Sequence, residues 1–454
     1  MTRNGAARQG FSKTFAVPGA DPGQLGRDFR VIPAPVVAPV PESPGLFAVQ
    51  VPLTWLGTAA TRSDTFAAMA ATFDRISEIA RRRGGYVLPP GLGTTQHRAP
   101  LAGDTHVLEV LSSVEQEVLC NLLRTQVPTL ITLFGRGRTV AGAPRDRVGS
   151  RWLAGSGSHL ATRFLASTTP AHLERVKAEL RRRDGVALLD RMDIHPGTAP
   201  DGSMTVVVRC LDSAATLAGL RAQALLLAAS AMQARRMVRD GRRIGNVPQR
   251  MLEDNRARAV ADGLRAQLAT DDKRSAPRTR NDRSPHGGHR QAEGAGVALR
   301  PARIVARSTL RALAVELRNL DVDATELAPV LLPLELPGLG VERRNSESDL
   351  LARWAMGGDR ELTDRVLAGL TDPAPGGPLL SWVHTVAPNP AAITLGAWQD
   401  RIRQARLLQS GGRRSTGSSS SGGRKHTGRP DRNFGDQRRG GARPQQADRR
   451  ANGS

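Results

Sequence analysis

The run Thr205-Val-Val-Val-Arg209-Cys-Leu-Asp212 concentrates β-branched and apolar residues and sets one arginine among them. Such side chains pack well on a pleated surface, so the run is expected to be a strand. Upstream, Pro200-Asp201-Gly202 supplies a turn and residues 186–194 a second apolar run, which predicts an antiparallel pair. Downstream, Ser213 is placed to cap a long helix reaching about Asp240, and a second helix is expected over roughly 248–268. Strands joined by a hairpin and separated elsewhere by helices imply an α+β domain rather than a doubly wound sheet. The arginine adds a chemical constraint. Its charge cannot be titrated away, so Arg209 inside an apolar strand calls for a carboxylate or phosphate to meet it. Asp254-Asn255-Arg256-Ala-Arg258 on the second helix brings further donors. Together they read as an anion-handling site.

Outward from this segment the pattern is less regular. Residues 1–45 are rich in Gly, Pro and Arg, with prolines at 33, 35, 39, 41 and 44. They are expected to form an extended lead-in, with room for one short strand at Phe29-Arg-Val-Ile32. A strand is expected over 46–53. Ser63 then precedes a helix in which Phe66, Met69, Phe73, Ile76 and Ile79 recur at helical spacing, ended by Gly84-Gly85. Short strands follow at 86–88 and at His106-Val-Leu-Glu-Val-Leu111, then a helix over about 114–125. Thr169-Pro170 starts another helix over 171–183. Residues 271–298 have the composition of a disordered insertion within a domain spanning 46–408. Helices are expected to resume near 303–319, 359–370 and 393–408, and 409–454 is a basic low-complexity tail.

Composition bounds the function. Aromatics make up 3% of the 454 residues and hydrophobic residues 39%, so the core must be built from Leu, Val and Ala. The net charge of +23 is almost all arginine, since lysine occurs only at 13, 177, 273 and 425. Arginine-rich, alanine-rich usage of this kind is a common mark of a GC-rich genome. The tail is the exception, because eleven Arg/Lys against three Asp give 410–454 a net charge of +8. Clusters such as Arg438-Arg-Gly-Gly-Ala-Arg443 are able to follow a phosphate backbone by charge, while Phe434 alone offers stacking. A non-enzymatic protein that engages nucleic acid or another polyanion through this tail is therefore one functional reading; an unselected extension is the other. Cys120 and Cys210 lie in apolar segments and are expected to be reduced and buried. No signal sequence is evident, and Arg221 and Gln223 interrupt the most apolar stretch. The chain is thus expected to be cytoplasmic and without a membrane partner.

Common catalytic signatures are missing. There is no phosphate-binding Gly-x-x-x-x-Gly-Lys-Ser/Thr loop, no dinucleotide Gly-x-Gly-x-x-Gly after a strand, no His-Glu-x-x-His and no Cys-x-x-Cys. Gly155-Ser-Gly-Ser-His159 lacks the spacing of a nucleophile elbow.

Four segments in order carry a family resemblance. His106-Val-Leu-Glu-Val followed by Asn121-Leu-Leu-Arg-Thr-Gln-Val-Pro-Thr-Leu130 resembles a strand and helix of the bacterial glutamate–cysteine ligase and carboxylate–amine ligase family. Val207-Val-Arg209-Cys-Leu-Asp212 is similar to its Glu-x-Arg-x-x-Asp strand, and Asp254-Asn-Arg-Ala-Arg-Ala259 with Gly263 to its Glu-Asn-Arg-Trp-Arg-Ala…Gly helix. The resemblance spans about 46–370. It implies a glutamine-synthetase-like fold, a curved antiparallel sheet backed by helices, that binds ATP and Mg or Mn. The activity it implies is phosphorylation of a small carboxylate to an acyl phosphate that a small amine then attacks. Within that resemblance Arg209, Arg256 and His106 fall to catalytic roles, and Asn255, Arg258 and Asp212 to substrate or ATP binding. The metal ligands are not identified. The family's acidic N-terminal strand has no clear counterpart, Gln50-Val-Pro52 stands at a further acidic position, and Val207 stands where a metal-binding Glu is expected. Loss of carboxylates weakens a hard-cation site, so the ligase is either active or degenerate. Each residue also has a structural reading: His106 as a strand histidine, Arg209 and Asp212 as paired with each other or with neighbouring helices, and Asn255, Arg256 and Arg258 as a solvated helix face.

Overall fold

The computed structural model describes residues 7–334, apart from 42, 86, 91–99, 136–148, 156–158, 186–187, 215, 272–296, 323–325 and 332–333. The chain runs β1 (Arg8–Ala16), α1 (Pro22–Asp28), β2 (Val36–Pro39), β3 (Leu46–Trp55), α2 (Ala59–Arg82), β4 (Gly103–Glu109) and α3 (Ser113–Phe134). It continues through α4 (Arg151–Gly155), α5 (Pro170–Asp184), β5 (Ile194–Thr198), β6 (Met204–Asp212), α6 (Leu217–Arg239) and α7 (Gln249–Asp262). After these come β7 (Gln267–Asp271), β8 (Val297–Pro301), α8 (Ala302–Ala312), α9 (Ala314–Asn319) and α10 (Ala328–Leu331). Six strands form one sheet in the order β2-β3-β1-β4-β6-β5, every neighbouring pair antiparallel. The architecture is α+β, an antiparallel sheet backed by helices. The expected antiparallel pair forms as β5–β6, from Ile194↔Val208 to Thr198↔Met204, but its first strand begins only at the end of the 186–194 run, in which Leu189–Arg191 is a 3-10 turn.

Strand parity decides what each residue meets. On β1, Gln9, Phe11, Lys13 and Phe15 are all buried on one side, and register carries that side across to His106 and Leu108 of β4 and Val206 and Val208 of β6. Helices cover this face. Phe11, Phe15, Phe47 and Val49 pack on Phe66, Met69 and Phe73 of α2, while Leu108, Val206 and Val208 share a core with α3 and α6. The scarce aromatics are concentrated here, with Phe15 within 5.4–6.0 Å, centroid to centroid, of Phe29, Phe47 and Phe73.

Several expectations are corrected. The 1–45 segment is not a lead-in, because β1 lies inside the sheet between β3 and β4. Gln9 and Lys13 at inward positions hid its alternation; Gln9 Nε2 meets His106 and Lys13 Nζ meets Thr14 O and Asp104, all buried. Phe29–Val31 is a 3-10 turn rather than a strand. Thr58, not Ser63, caps α2 in a capping box with Thr61. Thr216 rather than Ser213 caps α6. Helix α3 continues beyond Thr125 to Phe134, since Val127, Leu130 and Ile131 keep it buried on both sides of Pro128. Helix α7 ends at Gly263, whose φ of 54° turns the chain into β7.

The insertion expected at 271–298 has ends that pair as β7 and β8, and 272–296 between them lie outside the described residues. So do the helices expected at 359–370 and 393–408 and the 409–454 tail. Among the described residues, no helix is long and apolar enough to cross a membrane.

Candidate functional site

His106 lies on the helix-facing side of the sheet, opposite Val208 in register, so the next residue along β6, Arg209, emerges on the other face. The sheet therefore stands between His106 and the Arg209 side chain, which do not share a cleft. His106 is fully buried. Gln9 Nε2, which only donates, lies 3.2 Å from His106 Nδ1. The ring proton must then sit on Nε2, directed at Gln223 Oε1 3.1 Å away. Burial lowers the His106 pKa, and a neutral ring held between two amides suits a sealed structural position. Beside it, Lys13 Nζ reaches Asp104 Oδ1 at 3.3 Å, Thr14 O at 2.7 Å and Ser213 Oγ at 2.5 Å, all of them buried. Ser213 Oγ donates in turn to Asp104 Oδ1 at 2.9 Å. This seam ties β1, β4 and the approach to α6 together.

The arginines meet at the β5 edge. Arg256 on α7 places Nε 2.5 Å and Nη2 2.9 Å from the two carboxylate oxygens of Asp193, which has no exposed surface. The backbone N–H of Arg209 donates to the carbonyl of the same Asp193 at 2.8 Å. Burial works against the charge on Arg256, but the hydrogen bonds and field of Asp193 outweigh it and hold the guanidinium above its ordinary pKa. Arg209 donates from Nη1 to Asp190 O at 3.1 Å, and among the described residues no carboxylate pairs with it. The expected Arg209–Asp212 ion pair is replaced by a hydrogen bond from Ser150 Oγ to Asp212, which anchors the start of α4.

Next to this junction is an open recess of about 370 Å³, lined among others by His159, Arg163, Arg183, Asp184, Glu253 and Arg256. Arg163 neutralises both acids, at 2.7 Å from Glu253 and 2.9 Å from Asp184. His159 stands edge-on to Trp152, 4.7 Å between centroids, and its Nδ1 is buried without a hydrogen-bond partner. Its pKa is lowered to about 4, first by burial and then by Arg209, Arg256 and Arg191, with Asp190 opposing. Three guanidinium groups against one carboxylate make the field at His159 positive. Two of the three come from the motifs that suggested an anion site. His159 and Asp193 do not come from those motifs: Gly155-Ser-Gly-Ser-His159 lacks the spacing of a nucleophile elbow, and Asp193 lies in the 186–194 run expected to be a strand, where nothing marks it as the partner of Arg256.

The remaining motif residues are braces. Asn121 Nδ2 donates to Leu165 O at 2.7 Å and accepts from Leu165 N at 2.9 Å. Arg124 holds Thr162 O, Val247 O and the Gln249 amide, with its pKa brought down to about 10 by burial. Asn255 spends both ends of its amide on the backbone of Ala269, at 2.7 and 2.8 Å, locking α7 to β7. Arg258 reaches Gln267 O at 3.2 Å from an exposed position. Neither Asn255 nor Arg258 lines the recess.

A divalent cation finds little to hold it. Among the described residues no group of three or more His, Cys, Asp or Glu is placed to bind a metal. On the face away from the helices, Glu109 is taken by Arg8 and Asp212 by Ser150. Among the described residues, the side chains present do not fit Mg or Mn, nor a metal-held triphosphate.

No protein-family model and no curated protein matches the chain. Among solved structures, it is similar to the complex between the prokaryotic ubiquitin-like protein Pup and its ligase PafA, at 12% identity and a TM-score of 0.47. That match covers 90% of this chain and 84% of the other. It is also similar to a bifunctional glutathione synthetase from Pasteurella multocida, at 13% identity and a TM-score of 0.44. There the match covers 84% of this chain and 51% of the other, so the chain spans about half that enzyme's length. Both scores fall below one half, and no residue role is transferred from either.

Proposed function

We propose that the chain is a divergent, glutamine-synthetase-like protein of the carboxylate–amine ligase type. In this reading it uses the recess beside β5 to hold a small acidic molecule, and its metal-assisted acyl-phosphate chemistry is degenerate. One observation carries it: Asp193 receives Arg256 on its carboxylate and the Arg209 amide on its carbonyl, so the β6 and α7 motifs meet at one residue. The packing of α3 on β6 and α7 supports the same order of motifs. The positive field at His159 supports an anionic ligand. The misfit with a divalent cation supports degeneracy, so the expected ATP and metal are not part of the proposal. The size of the recess supports a metabolite rather than a macromolecule.

The test has two arms on the full chain. Dicarboxylates and glutamate-like acids should raise the melting temperature with a gain that grows with concentration, and Arg209→Ala should reduce that gain. Phosphate release from ATP with Mg or Mn, over a panel of acids and amines, should stay at background. Turnover would replace the degenerate reading with an active ligase; no thermal response to any acid would return the chain to an unassigned α+β domain.

A further inference from the structure

We propose that the recess is an oxyanion site that works without a divalent cation and takes small ligands carrying a phosphate or a carboxylate. This rests on the reading of the recess as a ligand site and names its chemistry. Every acid at the recess is committed: Asp184 and Glu253 to Arg163, and Asp193 beneath them to Arg256. An arriving cation would compete with guanidinium groups for each of them and meet the field of Arg209 and Arg191 as well. An arriving anion meets unspent donors. The pair with Asp193 uses Nε and Nη2 of Arg256, so Nη1 has no protein partner among the described residues. Arg183 engages Glu179 through Nε and also lines the recess. Planar guanidinium forks match carboxylate and phosphate oxygens, and this supplies the neutralisation that a metal provides elsewhere.

His159 completes the set. Its Nδ1 is buried and has no hydrogen-bond partner, a cost that native structures rarely leave unmet. A bound oxyanion accepts from that nitrogen when the ring carries its proton there. It also offsets the surrounding guanidinium groups, so the ring gains basicity on binding.

The experiment is titration calorimetry on the full chain with inorganic phosphate and with succinate, each in EDTA and again in excess Mg²⁺. At least one probe should bind in EDTA, Mg²⁺ should not strengthen it, and the two arms identify which oxyanion is preferred. Arg183→Ala, at a side chain 54% exposed, should leave the unliganded melting temperature unchanged and weaken binding about tenfold, the loss of one charge-assisted hydrogen bond. His159→Phe should weaken it similarly, and His159→Asn, which returns an N–H near the Nδ1 position, should restore part of the loss. Binding that requires Mg²⁺ would overturn this proposal and leave the recess as a ligand site. Cation-free binding indifferent to both Arg183→Ala and His159→Phe would place the anion elsewhere and overturn it too. Binding of neither probe would remove both this proposal and the reading above.

Discussion

Asp193 carries more of this structure than its place in an irregular connection suggests. It is buried, receives two hydrogen bonds from Arg256, and fixes the Arg209 backbone through its carbonyl. Arg256→Met should leave an uncompensated buried carboxylate and cost about 3–5 kcal/mol in urea unfolding, whereas removing both charges with Asp193→Asn should recover part of that loss. A full cost in the double variant would show that the pair acts through packing alone. The histidines give a second expectation. His159 sits at about 4 against an ordinary 6.5, and burial lowers His106 and His195 as well. A depressed histidine favours the neutral folded form, so its contribution is present above pH 6.5 and is lost as pH falls toward 4. Urea midpoints should fall steadily over that window, with a shallower slope in His159→Phe. A flat profile would mean that these rings are not held neutral.

At the level of elements, Asn121 and Arg124 of helix α3 are joinery. Asn121 closes a two-bond clamp on Leu165, which has no exposed surface. Asn121→Ala should strand both of those backbone groups and cost about 2–4 kcal/mol by chemical denaturation; a cost near zero would mean that the 160–165 segment re-forms its contacts elsewhere. The same distinction explains what could be read in advance. Strand β6 and helices α6 and α7 announce themselves through an apolar run, a Pro-Asp-Gly turn and helical spacing, whereas β5, with Pro196 and Gly197 inside it and the expected strand earlier, at 186–194, does not. Strand β1 does not, because Gln9 and Lys13 occupy inward positions whose partners, His106 and Asp104, are about a hundred residues away. Arg209 and Arg256 were legible as anion donors from residue type. The separation of Arg209 from His106 was not, since parity follows from the β4–β6 register and sequence alone does not supply a register.

Across the whole molecule, a sealed polar seam of Gln9, Lys13, Asp104 and His106 contrasts with an arginine-rich recess open to solvent beside β5. Positive charge continues into the 410–454 tail, whose net of +8 predicts polyanion binding that weakens steeply with salt and vanishes on truncation of those residues. Equal binding by the truncated chain would assign that affinity to the folded part instead. The β7–β8 ladder has a different implication. Asp271 and Val297 are cross-strand partners, so the chain leaves and re-enters at a single point, with 272–296 between. Geometrically this is a socket. Replacing 272–296 by an Asn-Gly turn should preserve the fold and, by shortening the closed loop, favour it by about 2 kcal/mol. By the same token, a folded module whose own termini lie side by side should be accepted there without disturbing the sheet, a graft site that circular-dichroism melting of the chimaera would confirm or refute.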